Sequence, residues 1–340
     1  MRTTIKDIAK ETNLSLTTVS LVLNNKPHRL SKETCERVLA TAKKLNYRPN
    51  RMAASLVTNS TRIIGMIIND ISNTYYAELA KGAEARCREE GYALIICNAG
   101  SKKDNEQYIN LLIEQSVDGV ISAFWPDVAE NDVAQIISQA DQASIKLVLI
   151  DFPRNIPNIS YISLDNRQGA YLATRHLINL NHRRIGFIAD PFYMKTLSAS
   201  QRFLGYQNAL LEADINFDDS LVVPGKYTIE SGYHCTKALI AKEVTAIFAA
   251  NDLMAYGSYQ YAREKDIIIP DQLSVVGFDD IIYSDFFSPQ LTTVRQPTFQ
   301  MGYQAANELI ESLKNKTELK SSIIFAPELI IRKSTSALTV

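Results

Sequence analysis

The sequence has no apolar stretch of membrane-spanning length. Its longest runs, RIIGMII at 62–68 and KLVLID at 146–151, are about as long as a strand. A bilayer crossing needs roughly 18 residues. The N-terminal MRTTIKDIAKE has no apolar core behind its first basic residue, so no signal peptide is expected. The four cysteines, Cys35, Cys87, Cys97 and Cys235, form no CxxC pair. Without an export signal they are expected to be reduced, which implies a cytoplasmic location. Enzyme motifs are also missing: no GxGxxG follows the first strand, and GxxxxGK[ST], GxSxG and HExxH do not occur. His28, His176, His182 and His234 lack ligand spacing and are expected as surface or helix residues. No catalytic residue, no metal and no enzymatic activity are therefore expected.

What is present argues for a globular protein of two or three domains. The chain has 340 residues, 46% hydrophobic and 21% charged. A net charge of −1 conceals an asymmetry. Residues 1–58 hold eleven Lys and Arg against four Asp and Glu, a net +7, and the remainder carries −8. A basic head on an acidic body fits a head that meets a polyanion, although a merely solvated lysine-rich face gives the same count.

The head reads as three short helices. Thr4-x-x-Asp7 is a capping box ahead of Ile5, Ile8 and Ala9. Ser15 caps a second helix with Val19, Val22 and Leu23 inward, and Ser31 caps a third with Val38, Leu39, Ala42 and Leu45 at helical spacing. Leu16 and Leu21 fall on the outer side of the second helix. Helix, tight turn and short helix backed by a third is the helix-turn-helix arrangement. Pro49 then stops the chain, and Asn50 can cap one or two turns through Val57. So short a helix is marginal unless it packs on something.

From Arg62 onward apolar strands alternate with amphipathic helices, the pattern of parallel sheets covered on both faces. About eight such units suit a barrel or two doubly wound halves. The weaker strands at 160–165 and 291–294 sit where the chain could cross between halves, which favours two lobes. In such sheets ligands bind beyond the carboxyl ends of the strands. Here those ends read Asn69-Asp70, Asp151-Phe152, Asp165-Asn166, Asp190, Asn251-Asp252 and Asp279-Asp280, with Tyr75 and Tyr76 nearby. Acceptors for hydroxyls beside flat rings suit a polyhydroxy ligand. Each such Asp or Asn could instead simply cap the helix that follows.

These stretches resemble one family. TIKDIAKETNLSLTTVSLVLNNKP followed by LSKETCERVLATAKKLNYRPNRMAASL is similar to the N-terminal module of the LacI/GalR regulators. The resemblance continues through IGMIINDISNTYYAELAKGAEA, LDNRQGAYLATRHLINLNHRRIGFI, QRFLGYQNAL, AIFAANDLMAYGS, SVVGFDD and PQLTTVRQP, in order over residues 3–332. It implies a fold with an all-α helix-turn-helix head at 1–48 and a hinge helix and linker at 49–61. An α/β effector and dimerisation domain at 62–340 follows, with two doubly wound parallel-sheet lobes like periplasmic binding proteins. The N-lobe is expected at about 62–161 and 292–322, the C-lobe at about 162–291 and 323–340.

The implied function is a ligand-responsive repressor of transcription, most simply of a sugar-utilisation operon. Its implied partners are double-stranded operator DNA, a small-molecule effector and a second copy of the chain, with no membrane and no cofactor. A nucleoside or other metabolite is the alternative effector. An exported sugar-binding transport protein is a remoter alternative, since it has no use for a basic head. No heptads follow the last strand, so a dimer without a tetramerising tail is expected. Its interface is expected on the helices at 75–90 and 253–265.

Residue by residue, the resemblance assigns base reading to Leu16, Thr17 and Leu21, and a minor-groove wedge to Leu56. It assigns backbone contacts to Thr4, Thr18, Ser20, Asn24, His28, Arg29, Tyr47, Asn50 and Arg51. Around the effector it places Asn73, Tyr75, Tyr76, Phe152, Thr196, Ser198, Arg202, Tyr227, Asn251, Asp252 and Asp279. Thr196 stands where purine-binding relatives carry arginine, which favours a sugar. The departure is at Leu16 and Leu21, where the family usually places hydrogen-bonding residues. The only apolar group on a base edge in the major groove is the thymine methyl, so these leucines imply A·T preference there.

Overall fold

The computed structural model describes residues 3–23, 29–47, 60–123, 130–151, 159–191, 193, 197–319 and 322–338. Chain contacts divide the molecule between Thr61 and Arg62. Of the segment read as hinge and linker, only Ser60 and Thr61 lie within the described residues.

The head holds α1 (Ile5–Thr12), α2 (Leu16–Leu23) and α3 (Lys32–Lys44). Each begins where its capping residue stands. The Thr4 N–H donates to Asp7 Oδ2 at 2.8 Å. Ser15 Oγ accepts from the Thr18 N–H at 3.0 Å and Ser31 Oγ from that of Thr34 at 3.2 Å. Asn13 closes α1 in the left-handed conformation (φ 55°), which Asn tolerates better than most residues. Ile8, Val19 and Val38 meet in a core completed by Ala9, Val22 and Ala42. Leu39 does not join them and is 53% exposed. Cys35, Val38, Ala42 and Leu45 already form the inward stripe of α3, and Leu39 lies a 100° step around the helix from Val38.

The body contains two six-stranded sheets. The first has the order β11-β5-β4-β3-β1-β2, built from β1 (Ile63–Ile68), β2 (Ala93–Asn98), β3 (Gly119–Ser122), β4 (Lys146–Ile150), β5 (Ser160–Leu164) and β11 (Ser322–Phe325). The second has the order β12-β10-β9-β8-β6-β7. Its strands are β6 (Ile185–Ala189), β7 (Val222–Pro224), β8 (Ala246–Ala249), β9 (Ser274–Asp279), β10 (Thr292–Arg295) and β12 (Glu328–Ile330). Only the β10–β12 pairing is antiparallel among the described strands. Alternation sorts the first sheet's side chains. Ile64, Met66 and Ile68 pack with α4 (Thr74–Glu89) and α11 (Thr298–Asn315). Ile67 and Val120 pack on the other face with α5 (Lys102–Glu114) and α6 (Glu130–Gln142). The second sheet is enclosed in one continuous core by α7 (Asn166–Asn179), α8 (Leu197–Leu211), α9 (Ile229–Ile240) and α10 (Asp252–Glu264).

The crossings between lobes differ from expectation by a few residues. β5 pairs with β4 through Ile150↔Ile162, so the chain leaves the N-lobe after Leu164 rather than at 161. β10 pairs with β9, which leaves 292–295 in the C-lobe. β11 pairs with β5, so the returning N-lobe segment ends at Phe325 rather than 322. Sequence pattern marks these segments as short strands, but which sheet each joins is set by pairing partners distant in sequence.

Two expectations about faces also change. Met254 to Tyr259 of α10 are buried within their own lobe, so this helix offers little surface to a second copy. His182 is 2% exposed. Its ring bonds Thr245 Oγ1 at 2.9 Å, Ser274 Oγ at 3.0 Å and the Ser336 carbonyl at 3.1 Å, fastening the last segment onto the C-lobe.

Close helix crossings depend on glycine. A Cβ at Gly82 would lie 2.0 Å from the Phe299 carbonyl oxygen, and one at Gly302 would lie 1.9 Å from that of Leu79. The backbones of α4 and α11 therefore touch. Among the described residues, no helix is long and apolar enough to cross a membrane.

Candidate functional site

On the head, α2 presents Leu16, 46% exposed, and the exposed Thr17 at its start, with Leu21 half-buried one turn on. Neither leucine joins the head core, which takes Val19, Val22 and Leu23 from the same helix. Two leucines outside the head core remain on the outer side. Thr4 and Arg29 are exposed, Ser20 is half-buried, and Thr18 shares its hydroxyl with Ser15 Oγ at 2.8 Å. Tyr47 leans on the head core. Asn24, His28, Asn50, Arg51 and Leu56 lie outside the described residues.

The second site forms at the carboxyl ends of the body strands. Asn73 caps α4, its side chain accepting from the Tyr75 N–H at 3.1 Å. That cap sets the next two residues into the cleft. The Tyr75 hydroxyl donates to Asp151 Oδ2 at 3.1 Å, and Asp151 Oδ1 accepts from Ser163 Oγ at 2.9 Å. The Tyr76 hydroxyl accepts from Asn69 Nδ2 at 2.8 Å, and the two tyrosine rings meet edge to face with centroids 5.0 Å apart. Burial, then the carboxylates of Asp151 and Asp279, hold the Tyr75 hydroxyl well above its ordinary pKa.

From the C-lobe comes Arg202 on α8, 7% exposed. Its Nε donates to Asn166 Oδ1 at 2.8 Å and its Nη1 to the Ala250 carbonyl at 2.6 Å. The guanidinium lies 3.9 Å from the centroid of the Phe278 ring. Asp279 ends β9 at φ 116°, a conformation L-residues seldom adopt, and accepts at Oδ1 from Gln296 Nε2 at 2.7 Å. Strain of this kind persists where the surroundings fix a side chain for use.

Asp252 departs from its expected place among the effector ligands. It has no exposed surface, and its carboxylate takes the Ile281 N–H at 2.9 Å, Ser284 Oγ at 2.8 Å and Thr293 Oγ1 at 2.6 Å. These donors occupy it in holding the start of α10 to β10 and the loop after β9. Gly277 makes room for it, since a Cβ there would lie 2.1 Å from Asp252 Oδ1. Asn251 serves as a helix cap, accepting from the Met254 N–H at 3.0 Å. Asp165 does the same for α7. Tyr227, at φ 59°, packs half-buried on the C-lobe core, and Ser198 is half-buried on α8. Phe152 and Thr196 lie outside the described residues. Asn166 was picked out only as a strand-end residue, and Ser163, Phe278 and Gln296 were not assigned from sequence. The strand-end rule that picked out Asp279 would have found Gln296 one residue past β10.

Burial is the main force pushing Asp279 up to about 8 and Asp252 up to about 7, with Arg202 opposing it at Asp279 and three donors opposing it at Asp252. Both values exceed the ordinary aspartate value of about 3.9, so the fold favours the protonated forms. The stability they contribute is fully present below about pH 4 and is lost as pH rises through 7 to 8. Denaturant unfolding of the ligand-free chain from pH 5 to 9 should show falling stability, and Asp279→Asn should flatten that fall. An identical slope in the variant would exclude Asp279 as its source.

Among the described residues no group of three or more His, Cys, Asp or Glu could hold a metal ion. The cleft can accept hydrogen bonds at carboxylates and amides, donate them from a guanidinium, and offer tyrosine rings to an apolar ligand face.

Comparison with known proteins follows the same division into head and body. Residues 4–50 match the family described as "Bacterial regulatory proteins, lacI family", and residues 174–335 match a "Periplasmic binding protein-like domain". The HTH-type transcriptional repressor PurR of Haemophilus influenzae (strain PittEE) is 36% identical over 98% of this chain and 99% of its own. The HTH-type transcriptional regulator DegA of Bacillus subtilis (strain 168) is 34% identical over 99% of both chains. The lac repressor dimer bound to operator and the anti-inducer ONPF has a TM-score of 0.88 at 25% identity, over 99% of this chain and 100% of that one. The transcriptional regulator CelR in complex with cellobiose has a TM-score of 0.73 at 29% identity, over 98% of this chain and 100% of that one. With a helix-turn-helix head, two parallel-sheet lobes and full-length relatives of this kind, the chain belongs to the lacI family of bacterial regulatory proteins and is a DNA-binding transcriptional repressor with a ligand-responsive effector domain.

Proposed function

We propose that this repressor binds a carbohydrate or sugar derivative in the cleft between its lobes and thereby changes its affinity for the operator of a sugar-utilisation operon. The observation that carries this reading is the convergence of Tyr75–Asp151 from one lobe with Arg202 and Asp279–Gln296 from the other. Closure around a ligand moves one lobe against the other. In a dimer that motion changes the spacing of the two hinge segments, which couples effector to DNA by about 1–3 kcal/mol. On this reading Leu56, outside the described residues, is the side chain that wedges a central base step from the minor groove. The protein acts in the cytoplasm as a dimer, without a cofactor and without catalysing a reaction.

A thermal-shift screen over sugars, sugar phosphates, amino sugars and nucleosides tests the effector class. A melting point moved only by nucleobases or nucleosides overturns the sugar reading. A nucleoside effector is the second reading, supported by the relatives named PurR.

In the operator, Leu16 and Leu21 contact thymine methyls. Sites selected from random DNA should therefore carry A·T opposite residue 21, and Leu21→Ala should relax that position at a cost of about 1 kcal/mol. A strict guanine there, kept in the variant, would refute the apolar readout.

A further inference from the structure

The three crossings between the lobes are very short. Gln296-Pro297 joins β10 to α11, Ala326-Pro327 joins β11 to β12, and Asp165 stands alone between β5 and α7. Each two-residue crossing contains a proline, whose ring locks φ at about −65°. Little rotational freedom is left inside them, so movement of one lobe against the other concentrates at their ends. Those ends are tied together. The Asp165 N–H is bonded to the Phe325 carbonyl at 2.9 Å. Arg295 pairs with Glu328 across the antiparallel β10–β12 ladder, its Nη1 3.2 Å from Glu328 Oε2.

Behind the two proline crossings stands Asp280. Its Oδ2 accepts from Arg295 Nε at 2.7 Å, and Arg332 Nη2 lies 2.8 Å from its Oδ1 as an ion pair. Arg332 reaches on to Asp285 Oδ1 at 2.7 Å and to the Leu291 carbonyl at 2.9 Å. The Asp280 side chain is 7% exposed and that of Arg332 11%, so solvent screens this pair far less than a surface one. One carboxylate thus anchors the last residue of β10, the segment after β12 and the loop after β9. Both of its oxygens face guanidinium groups, which leaves it no free face for an effector.

The backbone supplies an independent observation. Asp279 and Asp280 have φ of 116° and 55°, the one adjacent pair of non-glycine residues with positive φ among the described residues. Such a pair persists only where its surroundings hold it. The grip on the Asp280 side chain is what holds it here.

We propose that Asp280 is a positioning residue for the effector response: clamped by Arg295 and Arg332, it fixes the C-lobe ends of both proline crossings as the pivot of lobe closure and holds the strained turn that carries Asp279. The proposal rests on the closure around a ligand described above and does not depend on which compound the cleft takes. Breaking the clamp leaves a buried guanidinium uncompensated and turns a fixed pivot into a loose one. Ligand affinity then falls although no ligand contact has been removed, because preorganisation is lost.

The test compares the full-length protein with Asp280→Asn, which keeps the shape and loses the charge, and with Arg295→Gln, a milder break at a half-exposed side chain. Hydrogen exchange of the empty protein, read by mass spectrometry, should be several-fold faster in both variants over residues 279–285, 295–298 and 326–332. It should be unchanged over β1 to β3 and β6 to β8. Calorimetry then uses whichever of glucose, galactose, ribose, cellobiose, glucosamine, adenosine and guanosine most raises the parent's melting point. Its affinity should drop by about tenfold in both variants, measured well below their melting temperatures. A folded Asp280→Asn variant that binds this compound as the parent does reduces Asp280 to a structural role and overturns the proposal. Exchange at the crossings equal to the parent's overturns it too. In the parent, the bound compound should slow exchange at the same segments; without that slowing the lobes do not close, and the closure reading falls together with the pivot. If no compound in the panel binds the parent, the exchange comparison alone decides.

Discussion

Gly82→Val should destabilise the N-lobe by about 3 kcal/mol, at the upper end of what overpacking a core costs. The new Cβ would sit 2.0 Å from the Phe299 carbonyl oxygen, and the methyls beyond it closer still to α11. That oxygen belongs to the backbone and cannot swing aside as a side chain would. The two helices must therefore separate along a seam that also buries Leu79, Ala83, Met301 and Ala305. For a domain of this size the melting temperature should fall by roughly 6–12 °C. Gly100→Ala is the matched control, because its Cβ meets nothing nearer than Asp104 Oδ2 at 3.6 Å. Melting curves followed by circular dichroism decide the matter. A Gly82→Val variant melting within about 2 °C of the parent would mean that the helices do not touch there.

Arg202→Leu should abolish the response to effector while leaving effector-free operator binding in place. The guanidinium is the positive group that the cleft presents to the ligand, and it also fixes Asn166 and the Ala250 carbonyl. Losing one charge-assisted hydrogen bond to the ligand, about 1.5–3 kcal/mol, weakens effector binding by roughly ten- to a hundredfold. Arg202→Lys should not restore it, because a lysine cannot reach both Asn166 and Ala250 while lying flat on Phe278. Gel-shift titrations of operator with and without effector separate the two properties. A variant whose operator affinity still moves with effector as the parent's does would remove Arg202 from the site.

Much of the arrangement was legible because it depends on local chemistry. Thr4, Ser15 and Ser31 open their helices through bonds to residues three positions away, and the β1, β6 and β9 runs are apolar because both faces of each sheet are covered. Leu16 and Leu21 stood out because the inward stripe of α2 was complete without them. What was not legible depends on pairings distant in sequence. LTTV at 291–294 reads as a crossing strand, yet only its register with Val276 to Asp279 shows which sheet it joins. SIIF at 322–325 is too short to announce itself as the edge of the first sheet. Asp252 looked like a ligand residue by position, but Ser284 and Thr293 come from segments 32 and 41 residues away to occupy it. Gln296 stands one residue past β10, and its bond to Asp279 follows from the pairing of β10 with β9.

The three crossings, after Leu164, between Arg295 and Thr298, and between Phe325 and Glu328, mean that neither lobe is a continuous length of chain. As the protein leaves a ribosome, the first sheet waits without its edge strand β11, and with the Ile64–Met66–Ile68 face half-covered, until residue 325 has emerged. Almost the whole body must therefore be synthesised before the lobe nearest the head in sequence can close. A protease that cuts one crossing of the finished protein leaves two fragments that still share at least one lobe. They should stay together until the fold itself is melted.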